Sequence, residues 1–197
     1  MTQIALFPLS TVLLPFGRVP LQIFERRYVD LVAKSMRDEE GFGLVWLRRG
    51  SEVLVGDLST SDLSNYGTYA RIVDWDQLTN GLLGIVVEGE QCFEIESTWR
   101  DSSGLVTAEV NMLEQSSKVQ LDAKNQSLVD ILQDLLKHPQ VKRLGLETDF
   151  TDAWRVVMQL GQILPVKEST RYEFLRSRSV EFCVEKLEII LGQMSGG

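Results

Sequence analysis

The spacing of the apolar residues changes from a strand pattern to a helix pattern near residue 115 of this 197-residue chain. Before that point, short runs rich in β-branched and aromatic residues alternate with turn signals such as Asn80-Gly81. After it, apolar residues recur every three or four positions, as on one face of a helix. The change predicts an α+β chain with a mainly β first part, residues 1–115, and a helical second part, residues 116–197.

The first part contains seven runs with the composition of β-strands, at residues 3–7, 19–24, 42–49, 67–78, 82–88, 91–97 and 105–113. One helix interrupts them over residues 25–38, because its apolar residues recur at helical spacing. These residues are Tyr28, Leu31, Val32 and Met36. Short strands separated by regularly spaced turns predict a barrel or a sandwich.

Four segments of the second part have the apolar spacing of helices. Their apolar residues are Leu121, Leu128, Ile131, Leu132, Leu135 and Leu136; Trp154, Val157, Met158, Gly161 and Leu164; Tyr172 to Leu175; and Phe182, Cys183, Leu187, Ile190, Leu191 and Met194. Pro139 and Pro165 end the first two segments, since proline cannot continue a helix. Residues 195–197 are expected to fray. The second part is therefore predicted to be a helical bundle that packs against the strands.

All of the excess negative charge lies in the β part. The net charge is −8; residues 1–115 carry 9 basic and 17 acidic side chains, and residues 116–197 carry 11 of each. Proteins bind nucleic acids largely through Lys and Arg side chains that neutralise phosphates. The acidic first part therefore argues against a nucleic-acid partner.

The residue types that catalysis and metal binding require are scarce. The one histidine, His138, precedes a proline at a predicted helix end, and Cys92 and Cys183 lie in apolar segments typical of free buried thiols. Acids two residues apart on predicted strands, such as Asp74 and Asp76, indicate a solvated sheet face rather than a paired-carboxylate site. The sequence has no HExxH, GxSxG or P-loop motif. We therefore expect no catalytic, metal or cofactor site.

The start of the chain does not resemble a secretory signal. It is apolar, but it lacks a basic leading region and contains Pro8 and Pro15. The longest uninterrupted apolar runs have about six residues, whereas a membrane span needs about 18 or more. These features predict a cytoplasmic protein without a membrane partner.

A longer ordered pattern opens the chain. Leu6-Phe7-Pro8-Leu9 is followed by Val12-Leu13-Leu14-Pro15 and by Val19-Pro20-Leu21-Gln22-Ile23-Phe24-Glu25-Arg26-Arg27-Tyr28. Further matching segments follow in the same order: Phe42-Gly43-Leu44-Val45, Gly67-Thr68, Ala70-Arg71-Ile72, Val87-Glu88-Gly89-Glu90-Gln91-Cys92-Phe93 and Leu164-Pro165-Val166. Over nearly the whole chain, this series resembles the Lon protease N-terminal, substrate-binding domain family.

The resemblance implies a PUA-like, mostly antiparallel β-barrel with one helix, followed by a helical bundle. It also implies a non-enzymatic module that binds unfolded polypeptide segments or a protein partner, in a groove where the two parts meet. Full-length Lon proteases continue into an ATPase module and a Ser-Lys peptidase domain, and this sequence shows neither. We therefore expect no ATP or peptide hydrolysis by that machinery.

Two alternative functions stay open. The first is a small-molecule enzyme or ligand-binding protein on the same scaffold. The second is RNA binding, which rests only on analogy with RNA-binding members of the PUA-like fold. The sequence leaves the partner, the bound segment and the oligomeric state undetermined.

The residues singled out for contact or for structure divide into two groups. The candidate contact residues for a peptide or partner are Phe16, Arg26, Tyr66 and Tyr69. The motif residues expected to be structural are Pro8, Pro15, Phe24, Glu25, Arg27 and Tyr28. In this interpretation Phe24 ends a buried strand, and Tyr28 lies on the apolar face of the first helix. Positions where this sequence departs from the family pattern are Phe16, Gln22, Arg26 and Cys92.

Overall fold

The computed structural model describes residues 1–48, 62–114 and 117–195. Within these ranges the strands are β1 Thr2–Leu9, β2 Arg18–Ile23, β3 Phe42–Leu47, β4 Leu63–Gln77, β5 Leu83–Arg100 and β6 Val106–Met112. The α-helices are α1 Arg26–Asp38, α2 Gln126–Lys137, α3 Pro139–Lys142, α4 Ala153–Ile163, α5 Glu168–Arg176 and α6 Val180–Ser195. The predicted boundary at residues 115 and 116, the predicted strand end at Arg49 and the tail at 196–197 lie outside the described residues.

The strands form one mostly antiparallel sheet with the order β2-β5-β4-β3-β1-β6, in which β5 also pairs with β6. Only β1 and β3 run parallel among the described pairs. Strand pairing therefore closes into a ring of β5, β4, β3, β1 and β6. Strand β5 makes this possible because one of its edges pairs with β4 while the other pairs with β2 at residues 83–88 and with β6 at residues 93–100.

Several sequence predictions need correction. The two runs predicted at 82–88 and 91–97 are one continuous strand, β5. Phe24 does not end a buried strand, because β2 ends at Ile23 and the Phe24 side chain is exposed. Met36 is also exposed rather than part of the buried face of α1, although Tyr28 is buried there as predicted. Leu121 precedes helix α2, and the short helix α3 was not predicted.

The apolar residues form three buried clusters. One lies between α1 and the sheet, where the rings of Phe7 and Tyr28 stack at 4.1 Å. A second is formed by β1, β3, β5 and β6 around the buried ring of Phe93. The third is the helical cluster, formed mainly by α2, α4, α5 and α6. Helix α1 thus packs with the sheet, whereas α2, α4, α5 and α6 share a cluster of their own.

Residues 10–17 connect β1 to β2, and we call them the bridging loop because they contribute to two of these clusters. Val12 and Leu14 lie in the helical cluster, whereas Leu13 lies in the cluster between α1 and the sheet. On the sheet side, the hydroxyl of Thr68 donates a hydrogen bond to the Leu13 carbonyl at 2.6 Å. The loop therefore connects the helices to the sheet directly.

Side chains of α4 and α5 bind the backbone of the bridging loop. The Glu168 carboxylate accepts a hydrogen bond from the Val12 amide at 2.7 Å, and the Gln162 carbonyl accepts one from the Leu14 amide at 2.8 Å. The amide nitrogen of Gln159 donates to the Phe16 carbonyl at 3.1 Å. These contacts satisfy loop backbone groups that burial removes from water.

Gln159 is fully buried, and its side chain binds three groups of the protein. Its side-chain nitrogen also donates to the Glu147 carbonyl at 2.9 Å, and its oxygen accepts from the Thr148 hydroxyl at 2.6 Å. A polar side chain in an apolar cluster is tolerated here because its donors and acceptor are paired. It joins the bridging loop to the segment that precedes α4.

We expect Gln159→Leu to lower the free energy of unfolding by about 2–3 kcal/mol, because the Phe16 and Glu147 carbonyls and the Thr148 hydroxyl lose their partner while an apolar side chain of similar size replaces the amide. Urea denaturation followed by circular dichroism measures the change. The exposed Gln140 on α3 offers a matched control, and Gln140→Leu should stay within about 0.5 kcal/mol of the parent protein. Equal stabilities of the two variants would show that the Gln159 contacts are dispensable.

Candidate functional site

A small pocket lies where the bridging loop meets β5 and the helices. Its lining includes Phe16, Cys92, Trp154, Met158 and Arg178, and its volume is about 50 Å³. Pockets for small molecules typically have volumes of roughly 300–1,000 Å³. This junction pocket is therefore the size of a small side chain rather than of a substrate molecule.

Aromatic side chains fill another part of the junction between strands and helices. The ring of Tyr172 on α5 lies 5.5 Å from that of Trp46 and 6.4 Å from that of Tyr66. The Tyr66 hydroxyl donates to the Glu94 carboxylate at 3.0 Å, and this hydrogen bond raises the pKa of the Tyr66 phenol. These contacts pack the predicted junction groove with the protein's own side chains.

The four predicted contact residues do not come together on one surface. Phe16 is half-buried beneath the guanidinium of Arg155, 4.5 Å from its ring centre, and Tyr66 packs against the helical cluster. Tyr69 packs against the cluster around Phe93. Arg26 is exposed at the start of α1, where it forms an ion pair with Asp30 at 3.1 Å.

The motif residues predicted to be structural are mostly engaged within the protein. Pro8 is buried in β1, and Pro15 lines the junction pocket. The guanidinium of Arg27 pairs with the Glu25 carboxylate at 2.7 Å and donates to the Gly104 carbonyl at 3.1 Å. Arg27 thus binds a backbone group of the turn between β5 and β6, while the side chain of Glu25 binds Arg27.

A larger and more open depression lies between the C-terminal end of α1 and the second half of β4. It has a volume of about 480 Å³, and we call it the α1–β4 groove; its lining residues are Ser35, Met36, Glu39, Glu40, Arg71, Ile72, Val73, Asp74 and Trp75. Three large apolar side chains in it are exposed: Met36 by 39%, Val73 by 43% and Trp75 by 58%. The groove therefore presents apolar surface together with several carboxylates.

One edge of β4 is unpaired beside this groove. Strand β3 pairs with β4 only as far as Ala70, opposite Phe42, whereas β5 continues to pair with β4 over residues 71–77. No other strand of the described residues covers the free edge there. The amide of Trp75 instead donates to the side chain of Asp74 at 2.9 Å.

The wall of the groove opposite β4 has a defined position. Glu39 ends α1 in the left-handed conformation, with φ 55°, and the Glu40 amide donates to the Ser35 carbonyl at 3.1 Å. The buried Ser35 hydroxyl in turn donates to the Glu40 carbonyl. The Gly41 amide donates to the Tyr69 hydroxyl at 2.7 Å. Tyr69 thus positions the turn after α1, and it also lines an adjoining groove that shares Ser35 and Glu40.

Sequence reasoning missed the exposed apolar residues of the groove. Met36 was assigned to a buried face, and Val73 and Trp75 lie within a correctly predicted strand. The difference in length between two predicted strands is a usable signal. The predicted strand at 67–78 is longer than its predicted neighbour at 42–49, so part of its edge has to stay unpaired. Its alternation of Val73 and Trp75 with Asp74 and Asp76 is unusual for a buried strand.

The described residues do not form a metal-binding site. No three His, Cys, Asp or Glu side chains among them are grouped as metal ligands. In the same ranges, no helix combines the length and the apolar composition needed to cross a bilayer.

A sequence profile of the ATP-dependent protease La (LON) substrate-binding domain matches residues 3–193, nearly the whole chain. The chain belongs to this family. The match confirms the resemblance seen in the opening pattern. The grooves described above are therefore grooves of a LON substrate-binding domain.

Solved structures of LON N-terminal domains have the same fold. The crystal structure of the Lon N-terminal domain protein from Xanthomonas campestris is 28% identical, with a TM-score of 0.75, and the match covers 96% of this chain and 98% of that one. The N-terminal domain of a Mycobacterium avium complex Lon protease is 16% identical, with a TM-score of 0.60 and coverage of 94% and 96%. The second likeness supports the fold alone.

Curated Lon proteases match with lower coverage of their own length. The Lon protease of Anaeromyxobacter dehalogenans (strain 2CP-C) is 29% identical over 110 residues, which are 56% of this chain and 13% of that protein. The Lon protease of Brevibacillus choshinensis is 23% identical over 196 residues, 96% of this chain and 24% of that protein. The match to this LON domain chain thus spans less than a quarter of the length of each of these relatives.

The two thiols of this LON domain are free and protected. Burial raises the pKa of Cys92 to about 12 and that of Cys183 to about 11. The Cys92 thiol also donates to the Leu175 carbonyl at 3.5 Å. Because the thiolate is the reactive form, both groups are poor nucleophiles in the folded protein.

We expect iodoacetamide at about pH 8 to alkylate both cysteines at least ~100-fold more slowly in the native protein than in urea, where the ordinary thiol pKa of about 8.5 is restored. Mass spectrometry of timed, quenched samples measures both rates. Rapid native labelling of Cys92 would contradict the burial of its thiol.

We expect Glu39→Gly to be about 0.5–1 kcal/mol more stable than Glu39→Ala. Both variants remove the carboxylate from the C-terminal end of α1, but only glycine adopts the left-handed conformation without steric cost. Thermal and urea unfolding of the two variants measure the difference. If alanine is as stable as glycine, position 39 is not strained.

Proposed function

We propose that this chain is a non-enzymatic module that binds unfolded polypeptide segments in the α1–β4 groove. One observation carries the proposal: Met36, Val73 and Trp75 are exposed together in an open groove of a LON substrate-binding domain. Unfolded chains expose apolar side chains that folded proteins bury. A groove with apolar side chains of its own therefore distinguishes the two states of a client.

The types of residue in the groove suit a binding surface. Tryptophan is enriched among the residues that contribute most to protein interfaces. Methionine is flexible and polarisable, so Met36 can pack against side chains of different shapes. Together they support binding that tolerates varied client sequences rather than recognition of one ligand.

The charges of the groove favour a polypeptide over the alternative partners. Glu39, Glu40 and Asp74 line it, and nucleic-acid phosphates would be repelled by these carboxylates. The proposal therefore excludes RNA as a partner of this surface. The junction pocket, at about 50 Å³, gives little support for a small-molecule enzyme or ligand-binding protein.

Several finer predictions belong to the same proposal. We infer that the ring of β5, β4, β3, β1 and β6 is the PUA-like barrel that the family resemblance implies, and that the chain has two structural parts, residues 1–115 and 116–197. We also infer a cytoplasmic location. Of the predicted contact residues, Tyr69 supports the groove through Gly41, whereas contacts by Phe16, Arg26 and Tyr66 stay predictions.

We expect a fluorescein-labelled, reduced and carboxymethylated model protein, which is permanently unfolded, to bind this chain with micromolar affinity. Trp75→Ser should weaken that binding about tenfold, because an anchoring side chain contributes roughly 1.4 kcal/mol or more. Fluorescence anisotropy measures both affinities. The native, disulfide-intact form of the same model protein should not compete.

Trp99 provides a matched control because it is also an exposed tryptophan, 39%, but lies on β5 outside the α1–β4 groove. Trp99→Ser should bind like the parent protein. The proposal fails if the unfolded protein does not bind at about 100 µM, or if the two tryptophan variants lose affinity equally.

A further inference from the structure

We propose that the free edge of β4, residues 71–77, binds an extended segment as an added β-strand and prefers segments in which basic and apolar residues alternate. This inference rests on the proposed function and adds to it a binding mode and a class of client sequence. Four features of the described residues support it: the geometry of the edge, its apolar side chains, its charge, and the contrast with the other sheet edge.

The free edge is long enough for a strand. Residues 71–77 extend over roughly 23 Å at about 3.3 Å per residue, which is enough to pair with a typical strand of about five or six residues. An unpaired edge presents amide and carbonyl groups that an extended peptide can pair with, and this pairing depends little on peptide sequence. Affinity for many clients therefore follows from the backbone.

The apolar side chains beside the edge add a preference for apolar residues. Val73 and Trp75 alternate along β4 with Asp74 and Asp76, and Met36 faces the same groove from α1. Side chains of an added strand also alternate between two directions. One set packs against the exposed apolar side chains, and the other set approaches the carboxylates.

The charge of the edge determines which client side chains suit the positions that approach the carboxylates. Arg71 is paired with Glu90 at 3.1 Å, so its positive charge is compensated. Among the described residues, no ion pair engages Glu39, Glu40, Asp74 or Asp76. Four carboxylates without a cationic partner in the described part of the chain therefore favour lysine and arginine in the client, and they disfavour an identical acidic edge from a second copy of this chain.

The other free edge of the described sheet is a poorer template. The outer edge of β2 contains Pro20, which has no amide hydrogen to donate to an added strand. Arg18 on the same strand donates to the Leu144 and Gly145 carbonyls, so chain from the helical part lies beside its beginning. The β4 edge has no proline, and α1 leaves a groove next to it rather than covering it.

The test uses fluorescein-labelled peptides of about nine residues with alternating Lys-Val or Glu-Val sequence. We expect the Lys-Val peptide to bind at least tenfold more tightly. Two N-methylated Lys-Val peptides separate strand pairing from simple charge attraction, because each lacks alternate backbone amides. Methylation of the amides facing the edge should reduce affinity at least tenfold, and methylation of the other set should change it less than about threefold.

Variants of the protein test the charge preference. Asp74→Lys with Asp76→Lys should reverse the order of the Lys-Val and Glu-Val peptides. The matched control, Asp130→Lys with Asp134→Lys, makes the same change in net charge at exposed positions on α2 and should keep the original order. Light scattering of the parent protein checks whether the edge instead joins two copies.

The outcomes separate this inference from the proposed function. If the unfolded protein binds through Trp75 but both N-methylated peptides bind equally, strand addition is wrong and groove binding stands. Indifference to the Asp74 and Asp76 changes overturns the charge preference, and a dimer formed through this edge overturns the choice of client. Absence of binding by both the unfolded protein and the peptides overturns both proposals.

Discussion

The arrangement of helices against strands depends on hydrogen bonds to the bridging loop. Burying residues 10–17 removes backbone amides and carbonyls from water, and each of these groups then needs a partner inside the protein. Gln159, Gln162 and Glu168 provide partners from the helical side, and Thr68 provides one from the sheet. Arg171 donates to the Leu164 carbonyl at 2.9 Å and pairs with Glu168, so the same network also fixes the end of α4. The loop cannot leave the helices without exposing unpaired groups on both sides.

This constraint explains why the junction of the two parts is a poor binding site. The junction has to remain packed if the loop is to keep its partners, and the rings of Tyr66 and Tyr172 fill space that a client would need. The α1–β4 groove does not have to stay packed in this way, because its lining residues contribute little to the helical cluster. Under the proposed function, a client segment bound there would displace water and break none of the loop contacts. The junction can therefore stay packed while the α1–β4 groove stays open.

Local sequence patterns predicted the elements better than the site. The apolar spacing identified α1 and the main helices of the second part, and the ordered opening pattern identified the family. The continuity of β5 was missed because Glu88-Gly89-Glu90 has the composition of a turn. Gly89 is needed there for a different reason: a Cβ at this position would lie 2.5 Å from the Leu14 carbonyl oxygen of the bridging loop. The exposure of Trp75 is indicated only indirectly, by the unequal lengths of two predicted strands, since it depends on where β3 begins to pair with β4. Both features are set by contacts between distant parts of the chain.

An open strand edge beside exposed apolar side chains carries a risk of aggregation, and the residues of the β4 edge reduce it. Asp74 and Asp76 repel a second acidic edge, a register shift between Ile72 and Asp74 distorts the strand, and the Asp74 side chain occupies the Trp75 amide. None of these three features prevents every possible strand from pairing with the edge. Lysine or arginine in a client compensates the carboxylates, and a flexible segment adapts to an irregular strand more readily than a folded sheet does. Under the proposed binding mode, the features that protect the edge from copies of this chain therefore also determine which partners can pair with it.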